Sequence, residues 1–234
     1  MDSGAESPPA GPGAVDASAP VRSADYGPLA AVYPLLTWLL TGGGALRTQR
    51  HLLRHVRPGD RVLHAGCGPG AFNVDLARSG AEITYVDIAP AMIARARARV
   101  EAAVGTAHAH QFIAADLTRL PPAPPYDVVI AAYFLNTFAW PEACRVLALL
   151  CDQVAPGGTL CIADECRSQN ALLAWILDAG RRPTLGFYRL FTQQPIHPLY
   201  DYDPERAARG WQILDRARDR RDYRQASAWQ RQVT

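Results

Sequence analysis

The sequence contains no lysine: all 24 of its basic residues are arginine, set against 22 acidic ones for a formal charge of +2. So small an excess, with no run of like charge, gives none of the basic tracks that nucleic acid requires, and no nucleic-acid partner is expected. Arginine without lysine, beside abundant Ala, Pro and Gly, is read as the codon bias of a GC-rich genome. The cysteines are few and scattered: Cys67, Cys144, Cys151, Cys161 and Cys166 form no Cys-x-x-Cys pair and no zinc spacing with His. They are expected to be reduced and mostly buried, as in a cytoplasmic protein. No segment approaches the roughly 20 consecutive apolar residues of a membrane span, so stable insertion is not expected, although peripheral contact stays open. The start shows no basic segment followed by an apolar run of the signal-peptide kind.

What is present suits one globular domain: 234 residues, 49% of them hydrophobic. Residues 1–24 are mostly Pro, Gly, Ala and Ser and are expected to be disordered, because they cannot bury enough apolar surface to offset ordering entropy. Residues 25–57 are expected to form N-terminal helices. Leu29, Val32, Tyr33, Leu36 and Trp38 make a strongly apolar stretch interrupted near Pro34 and ended by Gly42-Gly43-Gly44. Leu46, Leu52, Leu53 and Val56 then recur at helical spacing, with Arg47, Arg50 and Arg54 on the other side.

From Pro58 the pattern alternates. Strands are expected at 62–65, 83–87, 111–116, 127–134 and 159–165, with helices from 71, at 92–104 and at 142–154. Continuous apolar strands such as Val128-Val129-Ile130 indicate a parallel sheet covered on both faces. Residues 211–218 and 223–230 look like an antiparallel hairpin. Residues 167–210 break the rhythm and are expected to be a helical cap. The fold class is therefore α/β: a doubly wound, seven-stranded, mostly parallel sheet with a C-terminal antiparallel hairpin and a cap, in one domain over 58–234.

The stretch Val62-Leu63-His64-Ala65-Gly66-Cys67-Gly68-Pro69-Gly70 is a strand closed by a glycine turn, followed by a helix carrying Phe72, Val74, Leu76 and Ala77. Glycines let the backbone turn sharply and approach a ligand, and the helix N-terminus offers free N–H groups and a positive dipole end. Gly66, Gly68 and Ala71 also satisfy the dinucleotide fingerprint, so the glycines alone do not choose between cofactors. The later strand ends add information. Asp87 ends the second strand about 20 residues past the glycines, where an acid holds ribose hydroxyls. Asp116, followed by Leu117, ends the third, and Tyr133 and Phe134 end the fourth.

As an ordered set, these motifs resemble the class I S-adenosylmethionine-dependent methyltransferases. The matching residues are Val62 to Gly70, then Val86-Asp87-Ile88-Ala89-Pro90-Ala91-Met92, Ala114-Ala115-Asp116-Leu117, Tyr126-Asp127-Val128-Val129-Ile130 and Val154-Ala155-Pro156-Gly157-Gly158. The resemblance implies S-adenosyl-L-methionine as cofactor. Gly66, Cys67 and Gly68 would pass close to its methionine part, Asp87 would bind the ribose, and Asp116 with Leu117 would line the adenine site. The full set implied is Tyr33, His64, Gly66, Cys67, Gly68, Asp87, Ile88, Met92, Asp116, Leu117 and Tyr133. The N-terminal segment and the cap are similar to a narrower group, small-molecule methyltransferases near the quinone C-methyltransferases. In that group a Tyr at the position of Tyr33 lies over the cofactor; here the expected Tyr-Asp pair is Tyr33-Pro34. The family carries Asp or Glu where this chain has His64, an acid that positions the amino-acid end of the cofactor. A neutral imidazole can hydrogen-bond there but supplies no fixed negative charge.

The expected reaction is methyl transfer to a small, largely apolar or aromatic acceptor enclosed by the cap and the N-terminal helices. Holding donor and acceptor in line in a dry pocket supplies much of such an acceleration, so no catalytic base is assigned. Tyr133, Asn136, Glu165 and His197 are the groups available to orient an acceptor or move a proton. Two other classes stay open on the residues alone. One is a nicotinamide enzyme, which Asp116, the Pro156-Gly157-Gly158 turn and the closing hairpin fit poorly. The other is a binding or regulatory protein that keeps the fold without turnover, which His64 favours.

Overall fold

The computed structural model describes residues 42–106, 110–120, 123–192 and 199–231. The expected disorder of 1–24, most of the expected N-terminal helices including Tyr33, and His197 lie outside the described residues. A short helix α1 (Gly44–His51) and a 3-10 turn (Leu52–His55) lead into β1 (Arg61–Ala65). Then come α2 (Phe72–Ala77), β2 (Glu82–Asp87), α3 (Pro90–Val104), β3 (Gln111–Ala114), β4 (Tyr126–Ala132), α4 (Trp140–Asp152) and β5 (Val154–Glu165). The chain closes with α5 (Ala171–Thr192), α6 (Asp203–Ala208), β6 (Trp211–Arg218) and β7 (Arg224–Arg231).

The sheet has seven strands in the order β3-β2-β1-β4-β5-β7-β6. β1 to β5 are parallel, and β7 runs antiparallel to both β5 and β6. The expected fold class is therefore the observed one. The strand order reverses between β1 and β4, which places a crevice beyond their carboxyl ends.

Alternate side chains of each strand feed two apolar layers, the arrangement that a sheet covered on both faces requires. One layer sets Val62, Ile83, Tyr85, Val128, Ile130, Cys161 and Ala228 against Phe72 and Leu76 of α2 and Ile93, Ala96 and Val100 of α3. The other sets Leu63, Ala65, Val129, Ala131, Leu160, Ile162 and Trp229 against Val146, Leu147 and Leu150 of α4. The small α6 is tied to the hairpin through the buried Arg206. Its guanidinium lies 4.2 Å from the centre of the Trp229 ring and pairs with Asp203, which also holds Arg216.

Several boundaries differ from expectation, and three strand ends have a local reason. β3 stops at Ala114, because Asp116 caps the following 3-10 turn. β4 stops at Ala132, because Tyr133 takes φ 54° and leaves the extended region. β5 begins at Val154, because Pro156-Gly157-Gly158 is absorbed into an irregularity in the β4 pairing: Tyr126 faces Val154 and Val128 faces Thr159. The segment expected as a cap supplies α5, whose Leu172, Trp175, Ile176 and Leu190 are exposed. Among the described residues, no helix is long and apolar enough to cross a membrane.

Two leucines separate core packing from surface. Leu63→Ala empties a fully buried site and should cost about 2–5 kcal/mol. Leu214→Ala, on half-exposed β6, should change stability by less than about 0.5 kcal/mol. Urea denaturation of the two variants measures both.

Candidate functional site

The glycine turn is held from three sides. Cys67 N–H donates to the Val86 carbonyl at 3.0 Å, carrying the β1–β2 ladder past the end of β1. Gly68 N–H donates to Asp87 Oδ2 at 2.9 Å. From α2, the buried Asn73 donates through Nδ2 to the carbonyls of Cys67 (3.2 Å) and Gly68 (2.9 Å), while Tyr85 O–H donates to the Asn73 carbonyl at 2.7 Å. The sequence alone did not single out Asn73. The signal for it was an amide on the inner side of a short apolar helix, five residues after Gly68.

The two key glycines are glycine for different reasons. Both have left-handed φ, 62° at Gly66 and 52° at Gly68. A Cβ on Gly66 would fall 2.1 Å from Cδ2 of Phe134, so that ring lies directly on the turn. A Cβ on Gly68 would meet nothing within 4 Å. Gly68 therefore presents bare backbone to open space beside a carboxylate, the surface a nucleoside-bearing cofactor requires.

Asp87 also accepts from Ala89 N–H through Oδ1 at 2.9 Å. Its carboxylate thus fixes the glycine turn and the entry to α3 together, each bond using one lone pair of its oxygen. Ile88, next to it, is exposed, whereas Met92 is buried within α3. Asp116 lies two residues past Ala114, the register partner of Asp87. Its Oδ1 accepts from both N–H and Oγ1 of Thr118 at 2.9 Å, and Leu117 packs against the second apolar layer. The ends of β1, β2 and β3 thus gather Gly66, Cys67, Gly68, Asp87, Ile88, Asp116 and Leu117 along one edge of the sheet.

His64 points into the core instead. It meets Phe72 and Tyr85 edge-on, with ring centroids at 5.4 and 6.1 Å, and neither ring nitrogen has a hydrogen-bond partner among the described residues. Burial pushes its pKa down to about 3, an effect that the nearby Asn73 side chain offsets only in part without making a well-formed hydrogen bond. His64 is therefore a neutral core residue at physiological pH. Cys67 is buried as well, and burial with the nearby Asp87 charge holds its thiol protonated.

Beyond β4 and β5 the surroundings change. Tyr133 turns away from the glycine edge, with its hydroxyl buried near Thr48 and Arg224, and burial raises its pKa. Glu165 is paired with Arg181 of α5, Nε to Oε2 at 2.9 Å. Beside it lies a carboxyl that no sequence motif marks, Asp164. Oδ1 accepts from Glu165 N–H at 2.8 Å, while Oδ2 is buried with no hydrogen-bond partner among the described residues. Burial pushes the Asp164 pKa up to about 8, more than the backbone N–H groups of Glu165 and Asn136 and the Arg181 charge lower it. Among the described residues there is no cluster of His, Cys, Asp or Glu that would hold a metal.

Residues 62–158 match the family model described as a methyltransferase domain. The match agrees with the motif resemblance. The chain is 31% identical over 157 residues to a ubiquinone/menaquinone biosynthesis C-methyltransferase UbiE of Azotobacter vinelandii, covering 64% of this chain and 61% of that protein. It is 30% identical over 122 residues to a carboxy-S-adenosyl-L-methionine synthase of Dichelobacter nodosus, covering 51% and 50%. The chain thus spans about half the length of most curated relatives it matches. The crystal structure of the N-methyltransferase NodS from Bradyrhizobium japonicum, in complex with S-adenosyl-L-homocysteine, superposes with a TM-score of 0.62 at 17% identity. That match covers 89% of this chain and 100% of that one, a likeness of fold.

Two measurements check the local geometry. Gly66→Ala drives a methyl group into Phe134 and adds left-handed strain, and should cost about 2–5 kcal/mol. Gly68→Ala adds only the strain, about 1–2 kcal/mol, and should keep the fold. For His64, the folded pKa lies below the ordinary value, so the unfolded state takes up the proton first as pH falls below 6.5. Stability should then drop progressively toward pH 3, and the melting temperature of His64→Leu should fall less than that of the wild type between pH 7 and pH 4.

Proposed function

We propose that this protein is an S-adenosylmethionine-dependent methyltransferase acting on a small, largely apolar or aromatic acceptor. The observation that carries the proposal is the open backbone of Gly68, tied to Asp87 at the carboxyl ends of β1 and β2. The methyltransferase-domain match over residues 62–158 supports it, as does the likeness of fold to NodS. Gly66, Cys67 and Gly68 would lie along the methionine part, Asp87 would accept the ribose hydroxyls, and Asp116 with Leu117 would flank the adenine. The cofactor, when bound, supplies an electrophilic methyl group on a sulfonium.

The chain's own contribution is placement and exclusion of water. A fixed turn sets the donor at one point of the crevice, and the aromatic groups beyond β4 surround the acceptor side. Phe134 and Phe138 meet edge-on at 5.0 Å, and Trp140 stacks on Tyr202 at 5.7 Å. Pockets for small molecules are typically apolar with a few orienting polar groups. A small acceptor also agrees with the near-neutral charge, which offers no electropositive track for a nucleic acid.

Calorimetry with S-adenosylmethionine, S-adenosylhomocysteine and NAD tests the cofactor assignment. The first two should bind and NAD should bind far more weakly; tight NAD binding without a response to the sulfonium would overturn it. Asp87→Asn should weaken the sulfonium cofactor by about 1.5–3 kcal/mol, the range of a hydrogen bond to a charged group. An unchanged dissociation constant would leave Asp87 with only its backbone role.

A further inference from the structure

We propose that Asp164 is the proton acceptor for a hydroxyl group on an aromatic methyl acceptor seated beyond the carboxyl ends of β4 and β5. The inference deepens the methyltransferase reading and rests on it. Asp164 is the penultimate residue of β5, beside the end of β4, at the end of the sheet where doubly wound folds bind ligands. It is more than nine-tenths buried, and Oδ2 has no partner among the described residues. Native structures rarely leave a buried carboxyl oxygen unpaired, so such an atom calls for a partner of its own.

The neighbours narrow what that partner can be. Arg181 is paired with Glu165, and its charge reaches Asp164 as well, but burial outweighs it. The other titratable groups around it are Glu165 on β5, Cys166 just past it, Tyr133 after β4 and Tyr202 before α6. Tyr202 O–H is spent on the Leu135 carbonyl at 3.3 Å. Alternation along β5 puts Asp164 on the same side of the sheet as Ile162, whose apolar layer includes Phe134, Phe138, Trp140 and Tyr202. A carboxyl with one anchored and one unpaired oxygen, on the aromatic side of the sheet, suits a phenolic O–H.

A phenol near its ordinary pKa of about 10 is mostly protonated at neutral pH and needs its proton removed as it attacks. Burial has raised the Asp164 pKa to about 8, the range in which a carboxylate is matched to that proton transfer. In the step, the phenolic oxygen forms a bond to the methyl carbon, and the carbon–sulfur bond breaks with its electron pair going to sulfur. The sulfonium becomes a neutral thioether, the phenolic proton passes to Asp164 Oδ2, and it leaves to solvent after product release. Amine acceptors bring a lone pair without prior deprotonation and gain less from a base at this point.

Hydroquinone and labelled S-adenosylmethionine, with the full chain, test the proposal, and 1,4-dimethoxybenzene is the capped control. The wild type should methylate hydroquinone and leave the control unlabelled. Its kcat should rise with pH to a plateau above about pH 8. Asp164→Asn should lower kcat about 100-fold or more and lose the pH-dependent limb, while keeping the melting temperature and the S-adenosylmethionine affinity. Asp164→Glu should recover part of the rate. As a readout independent of turnover, hydroquinone binding should perturb a protonated-carboxyl infrared band that Asp164→Asn lacks. Wild-type kcat and pH profile in Asp164→Asn would overturn the assignment, and so would a wild type that binds S-adenosylmethionine but neither binds nor methylates hydroquinone. A wild type that fails to bind S-adenosylmethionine in calorimetry overturns the methyltransferase reading itself, and this inference with it.

Discussion

The hydrogen bond from Gly68 N–H to the Asp87 carboxylate joins the ends of two neighbouring strands at the point where the sheet changes direction. Much else in the crevice follows from it. It holds Gly68 left-handed with its Cα face open, and it spends one lone pair of Asp87 on backbone. Through the second bond to Ala89 it also sets where α3 begins. Asn73 and Tyr85 secure the same turn from the opposite side. A flexible glycine loop would lose entropy on meeting a ligand; here folding has already met most of that cost.

The two ends of the crevice are built from different materials. The glycine end is backbone and carboxylate, suited to a polar nucleoside. The β4–β5 end is aromatic and holds a buried acid whose stabilising partners do not outweigh its burial. Between them stands Phe134, one ring touching both: it rests on Gly66 and meets Phe138. A shift of that ring would be felt by donor and acceptor sides together. Tyr133, next to it, holds a backbone angle that bulky residues rarely adopt. Tyr133 packs against one apolar layer and Phe134 against the other, and strain of this kind persists only where the surrounding packing enforces it.

The alternation of strands and helices, the glycine turn and the two strand-end acids were legible because each is a local signal. Periodicity, turn chemistry and spacing all act within about 20 residues. The strand-end residues Gly66, Gly68, Asp87 and Asp116 could therefore be placed along one edge of the sheet from the sequence. What was missed depends on contacts between distant segments. Asn73 is an ordinary helical amide until the turn it grips is in place. His64 reads as a ligand candidate from its motif position, yet strand register turns it into the layer beneath α2. Asp164 reads as a strand-end acid until β4, β7 and Tyr202 close around it. The early start of β5 was hidden because Pro and Gly normally end a strand, whereas here they lie in a pairing irregularity beside Tyr126 and Val128.

The position of β7 bears on how the chain is made. Last in sequence among the described strands, it lies between β5 and β6, so the strand before it remains without a neighbour until residues 224–231 arrive. Until then β5 also presents an open edge, whose Leu160, Cys161, Ile162 and Ala163 are fully enclosed in the finished fold. During synthesis at about 5–20 residues per second, a parallel half-sheet carrying the glycine turn can form while this apolar edge waits several seconds for its cover. Exposed edges of this composition are templates for pairing with other chains. That exposure ends only when residues 224–231 are in place, and a chain cut before them would keep the glycine turn together with a permanently adhesive side.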